Sequence, residues 1–479
     1  MLRMIFFLPL ILAATMANTQ PKSIAGTWQG SLQAGIEIHI VFNFSTASQG
    51  YTGTMDSPDQ HVKGIPLTSV ELTGDSLTVE LKPAHAFYKA VRTDDTTFTG
   101  TWLQGGASLP LVVKNMQHAT VATEVKRPQT PVPPFSYNSE DVEYSNADKS
   151  ISFGATFTYP KTGGPFITMV LITGSGAQDR DETILGHKPF AVLADYLTKK
   201  GYAVLRVDDR GVGKTTGTMA NATSADFAKD VAASVAYLKT RAEVDKSKIG
   251  LVGHSEGGVI APMVASADKS IDFIILWGAP MEGGAIINTE QNGLALQKAG
   301  ISLAAVNAFK QLHIKELQLY KTAPDVYNLN TRVKEIFDAW RKLQPDSVLT
   351  SLLVTDSTVI GQNIYSIYDG LYNLPWMRFF IAHDFAADLA KVQCSVLAIN
   401  GGLDTQVGAE ANLGVITHVL NKAGNKNYTV VPLKGLNHLL QTAVTGDVAE
   451  YANIPETIAP LALDTIGDWL DGHIKNGKK

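Results

Sequence analysis

The chain has 479 residues, 45% hydrophobic and 18% charged, with a formal net charge of −5. That length exceeds one ordinary hydrophobic core and implies two or three domains of a globular protein. The slightly acidic balance, with no basic patch or tail, excludes nucleic acid as an expected partner.

The first element is a targeting segment. Met1-Leu2-Arg3-Met4 carries one positive charge, residues 5–14 form an almost unbroken apolar run, and Thr15-Met16-Ala17 offers small residues for cleavage. This is the order of a secretory signal peptide over residues 1–17. A membrane anchor is the alternative, but a span needs about 20 apolar residues and this run is shorter. The expectation is a secreted or periplasmic bacterial protein, with no stable membrane insertion once the signal is removed.

Residues 18–126 read as an N-terminal antiparallel β domain. Alternating runs at 36–40, 76–81 and 109–113 are punctuated by Gly50, Gly74 and Gly105-Gly106. This spacing predicts a barrel or curled sheet of about eight strands. Gly26-Thr27-Trp28 and Gly100-Thr101-Trp102 put one tryptophan near each end of the region, both expected in one core. The opening Ala25-Gly26-Thr27-Trp28 resembles the start of lipocalin-like barrels. No residue here suggests chemistry, and the domain reads equally as a docking module or a structural appendage. Residues 127–135, Arg127-Pro128-Gln129-Thr130-Pro131-Val132-Pro133-Pro134-Phe135, form a proline-rich linker, extended and stiff.

From residue 136 to 479 apolar strands alternate with helices. Strands are predicted at 167–172, 202–207, 248–253, 273–277, 396–400 and 428–432, with helices at 190–200, 225–241 and 455–474. The pattern implies a mostly parallel sheet covered on both faces, with ligands at the carboxyl ends of its strands. Residues 281–391 interrupt it with helical periodicity at 301–320 and 333–343. This insertion is expected as a helical cap above those ends, with Tyr365, Tyr368, Tyr372, Trp376, Phe379 and Phe380 packing its core or lining a pocket. Cys394 is the single cysteine, so no internal disulfide can form; it reads as a small buried hydrophobe.

The chemistry follows the same order. Thr173-Gly174-Ser175-Gly176-Ala177-Gln178 follows a strand, and its glycines let backbone N–H groups face a ligand. Ser175 is the expected oxyanion donor, with Gly176 second, while Asp179, Arg180 and Asp181 brace the loop through ion pairs. Gly211-Val212-Gly213-Lys214-Thr215 has the ending of a phosphate-binding loop but Asp208 where its first glycine should stand, so 208–213 reads as a structural turn. Gly253-His254-Ser255-Glu256-Gly257 fits G-x-S-x-G between a buried strand and a helix, the setting of a nucleophilic serine in a tight turn. The Glu256 N–H supplies the other oxyanion donor. Asp404 and His438 each stand just past a later strand, in the order Ser, Asp, His, and complete a triad with Ser255. Glu410 is the fallback acid, within the following helix. His254 is too close in sequence to Ser255 to serve as its base. No cluster with metal-ligand spacing stands out, and no cofactor is required.

Gly174-Ser175-Gly176 with Asp179-Arg180-Asp181, the Gly-His-Ser-Glu-Gly-Gly elbow, Pro375-Trp376-Met377-Arg378-Phe379-Phe380 and Gly435-Leu436-Asn437-His438 together resemble a group of bacterial carboxylesterases of the α/β-hydrolase fold. Such chains are close to serine aminopeptidase-like hydrolases. The resemblance runs from about residue 141 to the C-terminus. It implies a serine hydrolase acting on short acyl esters as small-molecule substrates, through an acyl-enzyme. Two rivals stand beside it: a serine peptidase, for which Glu282 and Glu290 in the cap could bind a substrate amine, and a binding protein on a dead hydrolase scaffold. The natural ester, the oligomeric state and the β domain's role are left open.

Overall fold

The computed structural model describes residues 23–33, 37–48, 50–57, 62–82, 86–104, 107–116, 126–322, 329–352, 354 and 374–477. The expected signal at 1–17 and Tyr365, Tyr368 and Tyr372 of the cap lie outside them. The chain divides near residue 120 into two compact units.

The described residues of the first unit form nine antiparallel strands: β1 (Gly26–Gln33), β2 (Glu37–Thr46), β3 (Tyr51–Ser57), β4 (Val62–Pro66), β5 (Ser69–Thr73), β6 (Ser76–Leu81), β7 (Ala86–Asp94), β8 (Thr97–Gln104) and β9 (Ala107–Asn115). Their order is β2-β1-β9-β8-β7-β6-β5-β3-β4, and an added β2–β3 pairing closes the ring with β4 outside it. Alternation drives this: along β7, Ala86, Tyr88 and Ala90 are buried while Phe87, Lys89 and Val91 are exposed, so one edge of the pattern faces inward. Side chains fill the interior. Trp28 and Trp102 share one core with Phe42, Tyr88 and Phe98, and the Trp28 and Phe98 rings meet edge-on at 5.0 Å.

Among its described residues, the second unit is built on eight strands: β10 (Asn138–Ser145), β11 (Ser152–Tyr159), β12 (Phe166–Ile172), β13 (Ala203–Val207), β14 (Val244–His254), β15 (Ile271–Trp277), β16 (Ser395–Gly401) and β17 (Tyr428–Leu433). Their order is β10-β11-β13-β12-β14-β15-β16-β17. β10 and β11 run antiparallel at one edge; the six from β12 onward are parallel. Successive residues of the parallel strands go to opposite faces, and both faces are covered, which is why these strands read as unbroken apolar runs. Val170, Leu205, Leu251 and Ile274 pack under helices α2 (Ser224–Leu238) and α3 (Glu256–Ala267). Met169, Leu171, Val204 and Ile275 pack under α1 (Pro189–Lys199) and the helix Pro460–Trp469.

Three local expectations shift. The terminal helix, expected from residue 455, begins at Pro460, because the N–H groups of Thr457 and Ile458 bond to the Gln129 side chain instead. The proline-rich 127–135 is not a free linker. The Arg127 guanidinium donates to the carbonyls of Ile454 and Ala452 at 2.5 and 2.8 Å and of Leu185 at 3.0 Å, and Gln129 Nε2 donates to the Ile458 carbonyl at 2.7 Å. Cys394 lies just ahead of β16, partly buried rather than inside the strand; burial pushes its thiol up to about 12.

The cap leaves the sheet after β15 and returns before β16. It holds helices Gly284–Lys298, Leu303–Thr322, Leu329–Arg341, Asp346–Ser351 and Pro375–Ala382. Phe337 and Trp340 pack with Leu312, Val348 and Leu349 in its own small core. Phe380 joins the core of one sheet face.

Candidate active site

The sheet register brings distant residues to one edge. Ile172 pairs with Gly253, His254 with Trp277, Trp277 with Ile399 and Gly401 with Leu433, so the loops at 173, 255, 278, 402 and 434 leave the sheet side by side. β14 ends at His254 and α3 starts at Glu256, with Ser255 between them at φ +52° and ψ −116°. A non-glycine residue held there stores on the order of 1–3 kcal/mol of strain. Two bonds hold it: the Ser255 N–H to the Trp277 carbonyl at 2.8 Å, and the Gly258 N–H to the Ser255 carbonyl at 2.9 Å. A Cβ on Gly253 would lie 2.0 Å from the Gly257 carbonyl oxygen, and one on Gly257 would lie 2.2 Å from that of Ile172. The glycines of G-x-S-x-G are therefore demanded by backbone passing backbone.

His438 Nδ1 faces Asp404 Oδ2 at 2.6 Å, both side chains almost wholly buried. Asp404 Oδ1 accepts the N–H groups of Gln406 and Val407, each at 2.8 Å. The acid is thus fixed by its own turn and offers one free oxygen to the imidazole. Trp277 Nε1 donates to the His438 carbonyl at 3.0 Å and pins the base's loop to β15, the strand beside the nucleophile's β14. Gly278, at φ +58°, lies against this pair; a Cβ there would meet the His438 ring at 3.1 Å. Glu410, the fallback acid, sits in the first turn of the helix Ala409–Ala423, while Asp404 occupies the place beside His438.

The loop at 173–178 is clamped from behind. Asp209 Oδ1 accepts the Thr173 hydroxyl at 2.8 Å and its Oδ2 the Gln178 N–H at 2.9 Å, while the Asp209 N–H donates back to the Gln178 carbonyl at 3.1 Å. Burial pushes the Asp209 carboxyl well above the ordinary range, against those bonds, with the charges of Glu182 and Glu256 adding to it. Among the described residues, the backbone N–H groups of Ser175 and Glu256 have no protein acceptor. Gly176 lies in the same loop at φ +99°. Arg180 pairs with Asp208 at 2.6 Å and Asp141 at 3.2 Å, and Arg206 pairs with Asp181. The Arg180 and Asp181 ion pairs brace the next stretch, whereas Asp179, expected to join them, instead accepts the Asp181 and Thr183 N–H groups at 3.1 and 3.0 Å. The 208–213 turn folds around Asp208, whose Oδ2 accepts the Lys214 N–H at 3.1 Å.

Sequence reasoning used Glu256 only for its N–H. Its side chain is buried, and Oε1 accepts the Ser224 hydroxyl at 2.6 Å and Trp376 Nε1 at 2.7 Å. Burial pushes this carboxyl up, against hydrogen bonds from Ser224, Trp376 and Ser175. One side chain so joins the elbow, α2, the 173–178 loop and the cap helix Pro375–Ala382. Asp209, Glu182 and His254 were missed as well. The only signal was that Asp208-Asp209 follows a strand and that an acidic run follows the 173–178 loop.

The Hydrolase_4 family model, described as serine aminopeptidase, S33, matches residues 188–337. The esterase EstD of Thermotoga maritima is 29% identical over 237 residues, which are 49% of this chain and 54% of that protein; the match spans about half of each. Two solved structures are more remote. The Pyrococcus furiosus esterase Pf2001 is 16% identical, covering 70% of this chain and 90% of that one at a TM-score of 0.40. Est1E of Butyrivibrio proteoclasticus, solved with ferulic acid, is 16% identical, covering 70% and 99% at 0.40. The sheet order and the strained serine elbow give the second unit the α/β-hydrolase fold, and residues 188–337 within it match the Hydrolase_4 family model.

Proposed function

We propose that the chain is a carboxylesterase that hydrolyses short-chain acyl esters through an acyl-enzyme on Ser255. The observation that carries this reading is the His438–Asp404 pair, at 2.6 Å, on the sheet edge where Ser255 is held in its strained turn. Asp404 orients the imidazole and stabilises it when protonated. His438 takes the Ser255 proton as the hydroxyl attacks the acyl carbon, then gives it to the leaving alcohol. The unpartnered N–H groups of Ser175 and Glu256 suit the developing oxyanion, with Gly176 next to them. Water releases the acid by the same steps. The likeness to EstD supports an ester as substrate.

The family description keeps an aminopeptidase as the second reading. Against it, Glu290 pairs with Lys310 and Glu282 accepts from Asn412 Nδ2 at 3.2 Å, so both candidate amine acceptors are engaged. Short acyl groups are favoured by the cap, which Trp376 ties to the residue after the nucleophile. The test compares p-nitrophenyl acetate, butyrate, decanoate and palmitate with aminoacyl p-nitroanilides. The expected result is the highest kcat/KM for acetate or butyrate, lost by about a millionfold in turnover in Ser255→Ala, with a fluorophosphonate labelling Ser255 in the wild type. A higher kcat/KM on any anilide overturns the reading.

Export is proposed as well, on the charge, apolar run and small residues of 1–17. Protein from its native host should begin near Asn18 by intact mass. An active protein retaining Met1 would refute this.

A further inference from the structure

We propose that Glu182 and His254 act together as positioning residues, tying the oxyanion loop, the nucleophile elbow and the base's loop into one unit; this rests on Ser255 being the nucleophile. Glu182 is fully buried and sits at φ +53°. Its Oε1 accepts the Gly174 N–H at 2.7 Å and faces His254 Nδ1 at 2.8 Å. His254 is buried too, and its Nε2 faces the His438 carbonyl oxygen at 3.2 Å. The line of polar contacts thus runs Gly174, Glu182, His254, His438. Each end falls beside a reacting group: Gly174 precedes Ser175, His254 precedes Ser255, and the last acceptor belongs to the base itself.

The packing repeats the connection. A Cβ on Gly174 would lie 3.2 Å from Glu182 Oε1, 3.2 Å from Ser255 Cβ and 3.6 Å from His254 Nδ1. The rings of His254 and His438 are 4.6 Å apart. Filling the space does not call for such groups. A buried carboxyl costs several kcal/mol to desolvate, and an apolar side chain of similar size packs at no such cost. Glu182 Oε2 is buried with no hydrogen-bond partner among the described residues. What the pair supplies is position. A displacement of about 1 Å between donors and nucleophile costs on the order of a hundredfold in rate, and the pair links all three loops directly, beside the separate holds of Trp277 on the base's loop and Asp209 on the 173–178 loop.

The test uses the full chain with p-nitrophenyl butyrate. Glu182→Asp keeps the carboxylate but draws it back from Gly174. His254→Asn removes the bridge to His438. The expected result is a kcat lowered on the order of 10- to 100-fold in Glu182→Asp and His254→Asn, with KM within about threefold of wild type. The double variant should be no slower than the worse single one, because residues acting as a unit are not additive.

Folded Glu182→Asp and His254→Asn proteins with wild-type kcat overturn the proposal. If Glu182→Asp does not melt cooperatively, His254→Asn decides on the same criteria. If neither folds, the pair serves the fold and the proposal is overturned. Wild-type turnover is measured first. Its absence ends the esterase reading, and positioning is then judged from the rate at which a fluorophosphonate labels Ser255, expected to fall in the same two variants. No labelling of wild type overturns both.

Discussion

Two carboxyl groups near Ser255 are held in opposite ways, and this separates their consequences. Asp404 is gripped through one oxygen by two amides and bonds His438 through the other. In Asp404→Asn the amide must turn its NH2 either to those N–H groups or to Nδ1, and the imidazole loses the tautomer it needs. Turnover should fall about ten-thousandfold with the fold intact, read from kcat on p-nitrophenyl butyrate beside a melting curve; a loss under tenfold would remove Asp404 from its role. Glu256 has only neutral donors, and burial raises its carboxyl. A carboxyl raised in the folded state binds protons there more readily than in the unfolded chain. Its contribution is present below the ordinary value of 4.5 and is lost as pH rises through the raised one. Glu256→Gln keeps the Oε1 acceptor and cannot ionise. The stability of this variant relative to wild type should therefore rise as pH goes from about 4 upward, then level off. Denaturant titrations between pH 4 and 8 check it, and a difference independent of pH would contradict it.

At the scale of elements, glycines of one sequence type play unlike parts. Gly257 in α3 has the Ile172 carbonyl 2.2 Å from where a Cβ would sit, whereas Gly414 in the helix Ala409–Ala423 has nothing within 4 Å. Gly414→Ala should stabilise the protein by about 0.5–1 kcal/mol. Gly257→Ala should destabilise it by more than about 1 kcal/mol and slow hydrolysis by shifting the Glu256 N–H. Melting curves of both variants, measured together, decide; equal shifts would mean that the close approach is not felt. The same contrast explains what could be read from the sequence. β12 to β16 were legible because burial on both faces leaves apolar runs. β10 was not, because Asn138-Ser139-Glu140-Asp141-Val142-Glu143-Tyr144-Ser145 lies at an edge with every second residue exposed, and no apolar pattern is required there. The elbow was legible because backbone crossings demand glycine. Glu182 was not, since an acidic residue in a loop gives no sign that it will be buried at positive φ. The placing of Asp404 and His438 followed from strand ends. The side-chain roles of Glu256 and Asp209 depend on which loops meet in space, which no local pattern records.

For the whole molecule, the question is what the hydrolase unit needs from the rest of the chain. Its sheet, both helical layers and the cap pack within residues after the division near 120, and a unit with its own core is expected to fold alone. The boundary is set by hydrogen bonds rather than by the prolines. Arg127 donates to three carbonyls, and Gln129 both donates to Ile458 and accepts from Thr457 and Ile458. These bonds fix the stretch ahead of Pro460, where the terminal helix begins. A chain starting at Lys126 should fold and keep kcat/KM on p-nitrophenyl butyrate within about threefold of the full protein. A chain starting at Phe135 loses both side chains. At roughly 1 kcal/mol for a net neutral bond, and more for a charged donor, the loss amounts to about 3–6 kcal/mol, enough to lower Tm on the order of 10 °C. Both chains carry the same Ser255, His438 and Asp404, so a difference confined to Tm isolates the clamp. If the Lys126 chain folds but does not turn over, the β-barrel unit contributes to the reaction. If the Phe135 chain melts with the Lys126 chain, Arg127 and Gln129 add nothing to stability and the proline-rich stretch is a linker after all.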